Sequence, residues 1–120
     1  MMTLVKIMSN NIENVLSEKV LEFNAKINDE PDFAKMIEGK DRTITICVSD
    51  GKNYASKLEN LKLDDFTVTE DPDTDLVVTA SSEVLEGLIK KTTSPIKAYM
   101  GGSLKVKASF SDMLLLKKLF

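Results

Sequence analysis

Asp71, Asp73 and Asp75 stand at alternate positions, as the first carboxylates of a calcium-binding loop do. The rest of such a loop is missing. The sixth position has no glycine for the tight turn, and the twelfth is Ser82 instead of the bidentate glutamate. The aspartates therefore read as solvated carboxylates in a turn. Gly101-Gly102 could offer backbone amides to an anion. A phosphate loop would continue with a lysine-serine pair and a helix, and neither follows, so the glycines read as a helix terminator. Cys47 is the one cysteine, and a reactive thiol wants an electropositive, accessible setting. It lies between Ile46 and Val48 in an alternating run and reads as an inert strand residue. The chain has no histidine, which removes the usual acid–base triads. With no nucleophile–base pair, an enzyme is not expected, and no cofactor or metal is implied.

The totals narrow the classes further. The net charge of −3 gives no electrostatic case for nucleic acid, which needs a concentrated basic face. A lone cysteine cannot form an internal disulfide, which suits a reducing compartment. No apolar run reaches the ~18 residues that a membrane-spanning helix needs. The opening MMTLVKIMSN lacks the length and cleavage site of a signal peptide and is expected to be frayed or lightly docked. A cytoplasmic location follows by default. The 120 residues fit one domain, 1–120, large enough to build a core without a disulfide or metal.

The elements that must position any site follow from periodicity. Ile12, Val15, Leu16, Val20, Phe23 and Ile27 recur every three or four residues, so 11–27 is an amphipathic helix. Asn10 is its expected N-cap, with Glu13 completing a capping box. Pro31 opens a second helix presenting Phe33, Met36 and Ile37, and Gly39 stops it. Arg42 to Ser49 alternates, with Ile44, Ile46 and Val48 on one face. Asp50-Gly51 signals a hairpin in which both turn positions tolerate positive φ. Lys52 to Leu58 returns, Phe66 to Glu70 is a third strand and Leu76 to Ala80 a fourth. Glu59 to Asp65 is either strand extension or bend. Ser81 or Ser82 caps a helix with Val84, Leu85, Leu88 and Ile89 on one face, and Lys90 and Lys91 in its last turn. Ser94-Pro95 starts a short helix. Ser103 to Ser109 alternates, with Leu104, Val106 and Ala108 inward and Lys105 and Lys107 outward. Ser111 is the expected cap of a last helix. This order predicts an α+β fold with about five strands, mainly antiparallel, one face covered by helices and one facing water.

The last helix is unusual. Met113, Leu114, Leu115, Leu116, Leu119 and Phe120 occur within eight positions, more apolar surface than one helix face needs. Methionine adapts to irregular shapes, and such a surplus fits either a solid core or the wall of a cavity.

Three stretches resemble the sterol carrier protein-2 family of small lipid-holding domains. They are DTDLVVTASSEVLEGLI, an acidic turn, strand and capped helix; SPIKAYMGGSLKVKAS, a glycine-ended helix feeding a strand; and the closing apolar helix. The RTITICVSDG hairpin and the first helix fit as well, so the likeness covers nearly the whole chain. The chain departs from the family at Ala108-Ser109, where members carry Gly-Asp. It ends in LKKLF where eukaryotic relatives carry a peroxisomal tripeptide, so a peroxisomal setting is not expected.

The resemblance implies a five-stranded sheet and helices around an apolar tunnel, with non-covalent binding of a lipid or fatty-acyl ligand, no catalysis and no cofactor. The expected lining is Ile46 and Val48 from the sheet, Leu85 and Ile89 from the third helix, and Met100, Phe110, Met113 and Leu116 near the end, with Phe120 at the mouth. Its partners would be the ligand, a membrane met transiently, and a second copy of the chain or an enzyme on another chain. The competing expectation is an interaction domain with a packed core that docks a partner through the apolar Met113–Phe120 helix.

Overall fold

The apolar stripe of the first helix is the spine against which the other elements pack. In the computed structural model, which describes the backbone of residues 2–71 and 73–119 and the side chains of 12–71 and 73–119, α1 spans Met2–Asp29. Ile12, Leu16, Val20, Phe23 and Ile27 are buried along one side of it. The helix runs straight through Asn10, so the capping box expected there has no helix end to cap. Glu13 instead accepts a hydrogen bond from the Tyr54 hydroxyl at 3.3 Å. α2 (Pro31–Ile37) adds Phe33 and Ile37 to the core, and the Phe33 ring meets Phe23 edge-on with centroids 5.3 Å apart.

The sheet is built from β1 (Arg42–Val48), β2 (Asn53–Glu59), β3 (Lys62–Leu63), β4 (Thr67–Val68), β5 (Leu76–Ala80) and β6 (Leu104–Lys107). β1 pairs antiparallel with β2 and parallel with β5, and β5 pairs antiparallel with β6. β3 and β4 both pair antiparallel with β2, and the register slips by one residue between them. The six strands found among the described residues thus occupy five lanes, the outermost broken by a bulge. The stretch left open in the sequence, Glu59 to Asp65, contains both the tight β2–β3 turn and the start of that broken strand.

Turn chemistry differs from the sequence expectation at two places. Neither Asp50 nor Gly51 adopts positive φ; the left-handed pair is Asn60 (φ 53°) and Leu61 (φ 60°), between β2 and β3. The β1–β2 loop is held from outside instead. The Asp50 carboxylate accepts from the Ser82 amide (2.7 Å) and hydroxyl (2.6 Å), tying the loop to the start of α3 (Ser82–Ile89). Ser81 is the N-cap of α3, accepting from the Val84 amide. Lys90 and Lys91 follow the helix and lie outside its last turn. The Asn24 side chain of α1 supplies a strand-like partner to the sheet edge, donating to the Leu63 carbonyl and accepting from its amide at 2.9 and 2.8 Å.

α4 (Pro95–Met100) starts at a Ser94 cap and ends at Gly101-Gly102, the second glycine at φ 83°. α5 (Phe110–Leu119) is capped by Ser109, two residues before the expected Ser111: the Asp112 amide donates to the Ser109 hydroxyl at 3.2 Å. Inward side chains line up across the sheet by register. Tyr54, Ile46, Val78 and Val106 form one row, and Val48, Ala80 and Leu104 the next. The outer face carries Lys105 and Lys107, with Thr45 an exception: it is fully buried and shares a 2.7 Å hydrogen bond with Thr74.

The α3–α4 turn folds back on Gly87, whose carbonyl accepts from the Thr92 and Thr93 amides at 2.9 and 3.0 Å. A Cβ at this position would collide with the Thr93 side chain. Gly87→Ala is therefore expected to cost about 1–3 kcal/mol through overpacking. Its thermal unfolding midpoint, followed by circular dichroism, should fall by roughly 5–15 °C.

Candidate functional site

α5 carries two apolar stripes because both follow the helical repeat. Leu115, Leu116 and Leu119 are buried with Asp112 against the rest of the protein. Phe110, Met113, Leu114 and Lys117, spaced at i, i+3, i+4 and i+7, line a hollow on another side. The hollow has a volume of about 420 Å³, within the ~300–1,000 Å³ usual for a ligand site. Its floor is Val78 from β5 with Leu104 and Val106 from β6, and Val78 sits directly across the ladder from Val106. Leu88 of α3 closes one end, and Pro95, Ile96 and Tyr99 of α4 form the facing wall. Among these lining residues only Lys117 carries a charge and only Tyr99 a hydroxyl. The hollow is open along one side, where Ile96, Tyr99, Phe110 and Leu114 remain exposed.

Polar contacts hold α5 at both ends. At its start, the buried Asp112 carboxylate meets Arg42 at 3.1 Å and Lys40 at 3.4 Å. Desolvation alone would raise its pKa. The hydrogen bond from Ser109 and the charges and hydrogen bonds of Arg42 and Lys40 outweigh that, leaving it below the ordinary 3.8. At the other end, Lys118 pairs with Glu30 at 2.6 Å and lies over the Phe33 ring, while Lys26 donates to the Lys118 carbonyl at 2.8 Å. These contacts fix the helix that forms one wall, so that wall does not depend on a guest for its position.

Of the expected lining residues, the structure brings Phe110, Met113 and Leu116 to the hollow. Ile46 and Val48 lie one strand further in, on β1, and are buried in the core, as is Leu85. Ile89 is half-buried and outside the lining. Met100 is 81% exposed because α4 turns Ile96 and Tyr99, not Met100, toward the cavity. Phe120 lies outside the described residues. Sequence reasoning missed Val78, Leu88, Pro95, Ile96, Tyr99, Leu104, Val106, Leu114 and Lys117. The inward alternation of Leu104 and Val106 and the i, i+3 spacing of Ile96 and Tyr99 were the available signals.

The other residues with chemical potential are held apart. The Asp73 carboxylate pairs with Lys107 at 2.6 Å, Asp75 accepts from the Thr43 amide and Asp71 from the Asp73 amide. Cys47 is half-buried on the outer face of the sheet. Among the described residues, no helix is long and apolar enough to cross a membrane.

Comparison with solved structures finds this arrangement of helices and sheet repeatedly. Sterol Carrier Protein 2 Like 2 from Aedes aegypti superposes with a TM-score of 0.57 at 16% identity, covering 91% of this chain and 99% of that one. The chain has the sterol carrier protein 2 fold. A UbiJ sterol carrier protein 2 domain, described as a ubiquinone synthesis protein, shares the fold at a TM-score of 0.55 and 16% identity, covering 97% of this chain and 95% of that one. A double mutant of the sec-alkylsulfatase Pisa1, from Pseudomonas sp., matches at a TM-score of 0.58 and 20% identity over 68% of this chain. The chain spans only 13% of that enzyme's length. No protein-family model and no curated protein sequence matches the chain. The sterol carrier protein 2 fold is therefore shown by shape, with the hollow beside its terminal helix.

Linkage through Asp112 gives a pH dependence. Its folded-state pKa lies below its ordinary value, so its stabilisation is present above about pH 4 and is lost as pH falls through the folded-state value. Asp112→Asn is expected to lose about 1–3 kcal/mol at neutral pH. The deficit should stay level down to about pH 5 and shrink below pH 4, read from thermal unfolding of both proteins across that range.

Proposed function

We propose that the chain binds a lipid, fatty-acyl or other long apolar ligand in the hollow between α4, β6 and α5, as a single carrier domain that does no chemistry on it. The observation that carries this reading is the lining: a site of about 420 Å³ walled almost wholly by aliphatic and aromatic side chains. Burying a methylene is worth roughly 0.8 kcal/mol, so an acyl chain needs no polar anchor to bind. Ordering and association costs reduce that gain, which places the expected dissociation constant in the micromolar range, about 1–100 µM. Selectivity among chains should be loose, because one methylene changes little. The sterol carrier protein 2 fold supports the same reading. The alkylsulfatase, in which a similar fold is one part of an enzyme, favours a module that works beside an enzyme.

An interaction domain that docks a partner through α5 is the weaker reading. The exposed apolar residues of α5 border a concave space, whereas a helix-docking face would present a ridge.

Native mass spectrometry with palmitate tests the proposal. Wild type should take up one palmitate at micromolar concentration. Met113→Trp, which fills the hollow from a partly exposed position, should bind at least about tenfold more weakly with little change in thermal midpoint. No uptake by a folded wild type would end the carrier reading.

A further inference from the structure

One lining residue of the hollow differs in kind from the others. The rest are aliphatic or aromatic, whereas Lys117 is a cation, and no acid lines the space. Lys117 both lines the hollow and is exposed, so its side chain reaches from the apolar wall to water. A lysine does this by laying its four-carbon stem along apolar surface and keeping its ammonium hydrated. It stands seven positions after Phe110 in the second stripe of α5, two helical turns or about 10 Å along that wall. One end of the wall is therefore aromatic and the other carries a charge.

The cations around α5 are otherwise committed. Lys40 and Arg42 hold Asp112, Lys118 holds Glu30 and Lys107 holds Asp73. Lys117 takes part in no ion pair among the described residues. A molecule whose tail fills the hollow must leave its polar head at the boundary with water. Two lining residues offer polarity to that head. The Tyr99 hydroxyl can donate or accept, so it serves heads of any charge. Lys117 attracts an anion, repels a cation and gains little from a neutral head. The chain as a whole carries a net charge of −3, which repels anions at long range, so any preference for one must arise locally.

We infer that Lys117 sets the ligand class: the hollow selects an amphiphile with an anionic head, the head beside the Lys117 ammonium and the tail running along α5 toward Phe110. The inference rests on the reading of the hollow as a lipid site and adds the sign and the orientation of the guest. The tail supplies most of the affinity. The head supplies a discrimination of only a few-fold, because an ion pair at a solvent-exposed cation is weak.

The test uses amphiphiles of one chain length, dodecanoate, dodecanol and dodecylammonium, at concentrations below micelle formation. Their dissociation constants are read by displacement of the neutral dye Nile red and checked by native mass spectrometry. Comparing each ligand across variants cancels differences in the ligands' own solubility. Lys117→Met keeps an unbranched apolar stem and removes the charge. It should reduce the affinity for dodecanoate relative to dodecanol by at least about threefold. Lys117→Glu should reduce that ratio further and raise the affinity for dodecylammonium. The wild-type ratio should itself fall when salt rises from about 0.1 M to about 1 M, where the screening length drops from ~10 to ~3 Å. Lys97 is exposed on α4 and does not line the hollow, so Lys97→Met removes the same charge elsewhere and should leave the ratio within about 1.5-fold of wild type. Thermal unfolding of each variant confirms that it is folded. A ratio unchanged in Lys117→Met, or shifted as far by Lys97→Met, would overturn the inference while uptake of the amphiphiles upholds the carrier reading. No displacement by any of the three from a folded wild type would remove the carrier reading and this inference with it.

Discussion

The position of α5 is the constraint from which the hollow follows. One stripe of that helix, Leu115, Leu116 and Leu119, is committed to the core. Its two ends are committed to charge: Asp112 to Arg42 and Lys40, and Lys118 to Glu30. With the ends pinned, the helix cannot roll to bury its second apolar stripe without separating partners on α1, α2 and β1. Separating Asp112 from its cations would leave a carboxylate stranded away from water, and breaking such a pair costs several kcal/mol. Phe110, Met113 and Leu114 therefore stay on the side away from the core, and the space beside them is left open.

The far wall is set by a different device. α4 is only six residues long and has little helical stability of its own. Its place comes from the turn before it, where Thr92 and Thr93 fold onto the Gly87 carbonyl, and from the Gly101-Gly102 break after it. Between the two walls lies the edge of the sheet. β6 is the terminal lane, and the hollow lies over its Leu104 and Val106, between α4 on one side and α5 on the other. Ile46 stands in the same cross-sheet row as Val78 and Val106 but lies two lanes inward of β6, where the layer is continuous and the interior is solid.

Much of the fold was legible because its signals are local. The α1 stripe, the alternation of β1, the fourth strand at Leu76–Ala80 and the Ser94-Pro95 helix start all depend on residues within a turn or two of each other. The misreadings occurred where a local signal was outvoted. Asn10 and Glu13 have the spacing of a capping box, but the helix continues past them. Asp50-Gly51 has the composition of a tight turn, but Asp50 is engaged by Ser82, which lies 32 positions away. Ser111 can cap a helix, but Ser109 reaches the free amide of Asp112 first. The site was less legible than the fold. Phe110, Met113 and Leu116 were expected at the cavity and stand there, while Ile46, Val48 and Leu85 have the same composition and are core.

The sequence by itself determined which residues are apolar, which faces they share, and that the last helix has more apolar surface than one contact can use. Its lack of histidine also removed the usual histidine-based acid–base triads. Only the tertiary structure decided which apolar side chains touch one another and which border empty space. That choice depends on contacts such as Lys26 with Lys118 and Arg42 with Asp112, which join positions 92 and 70 residues apart. A cavity is a gap between elements, and no single stretch of chain encodes a gap.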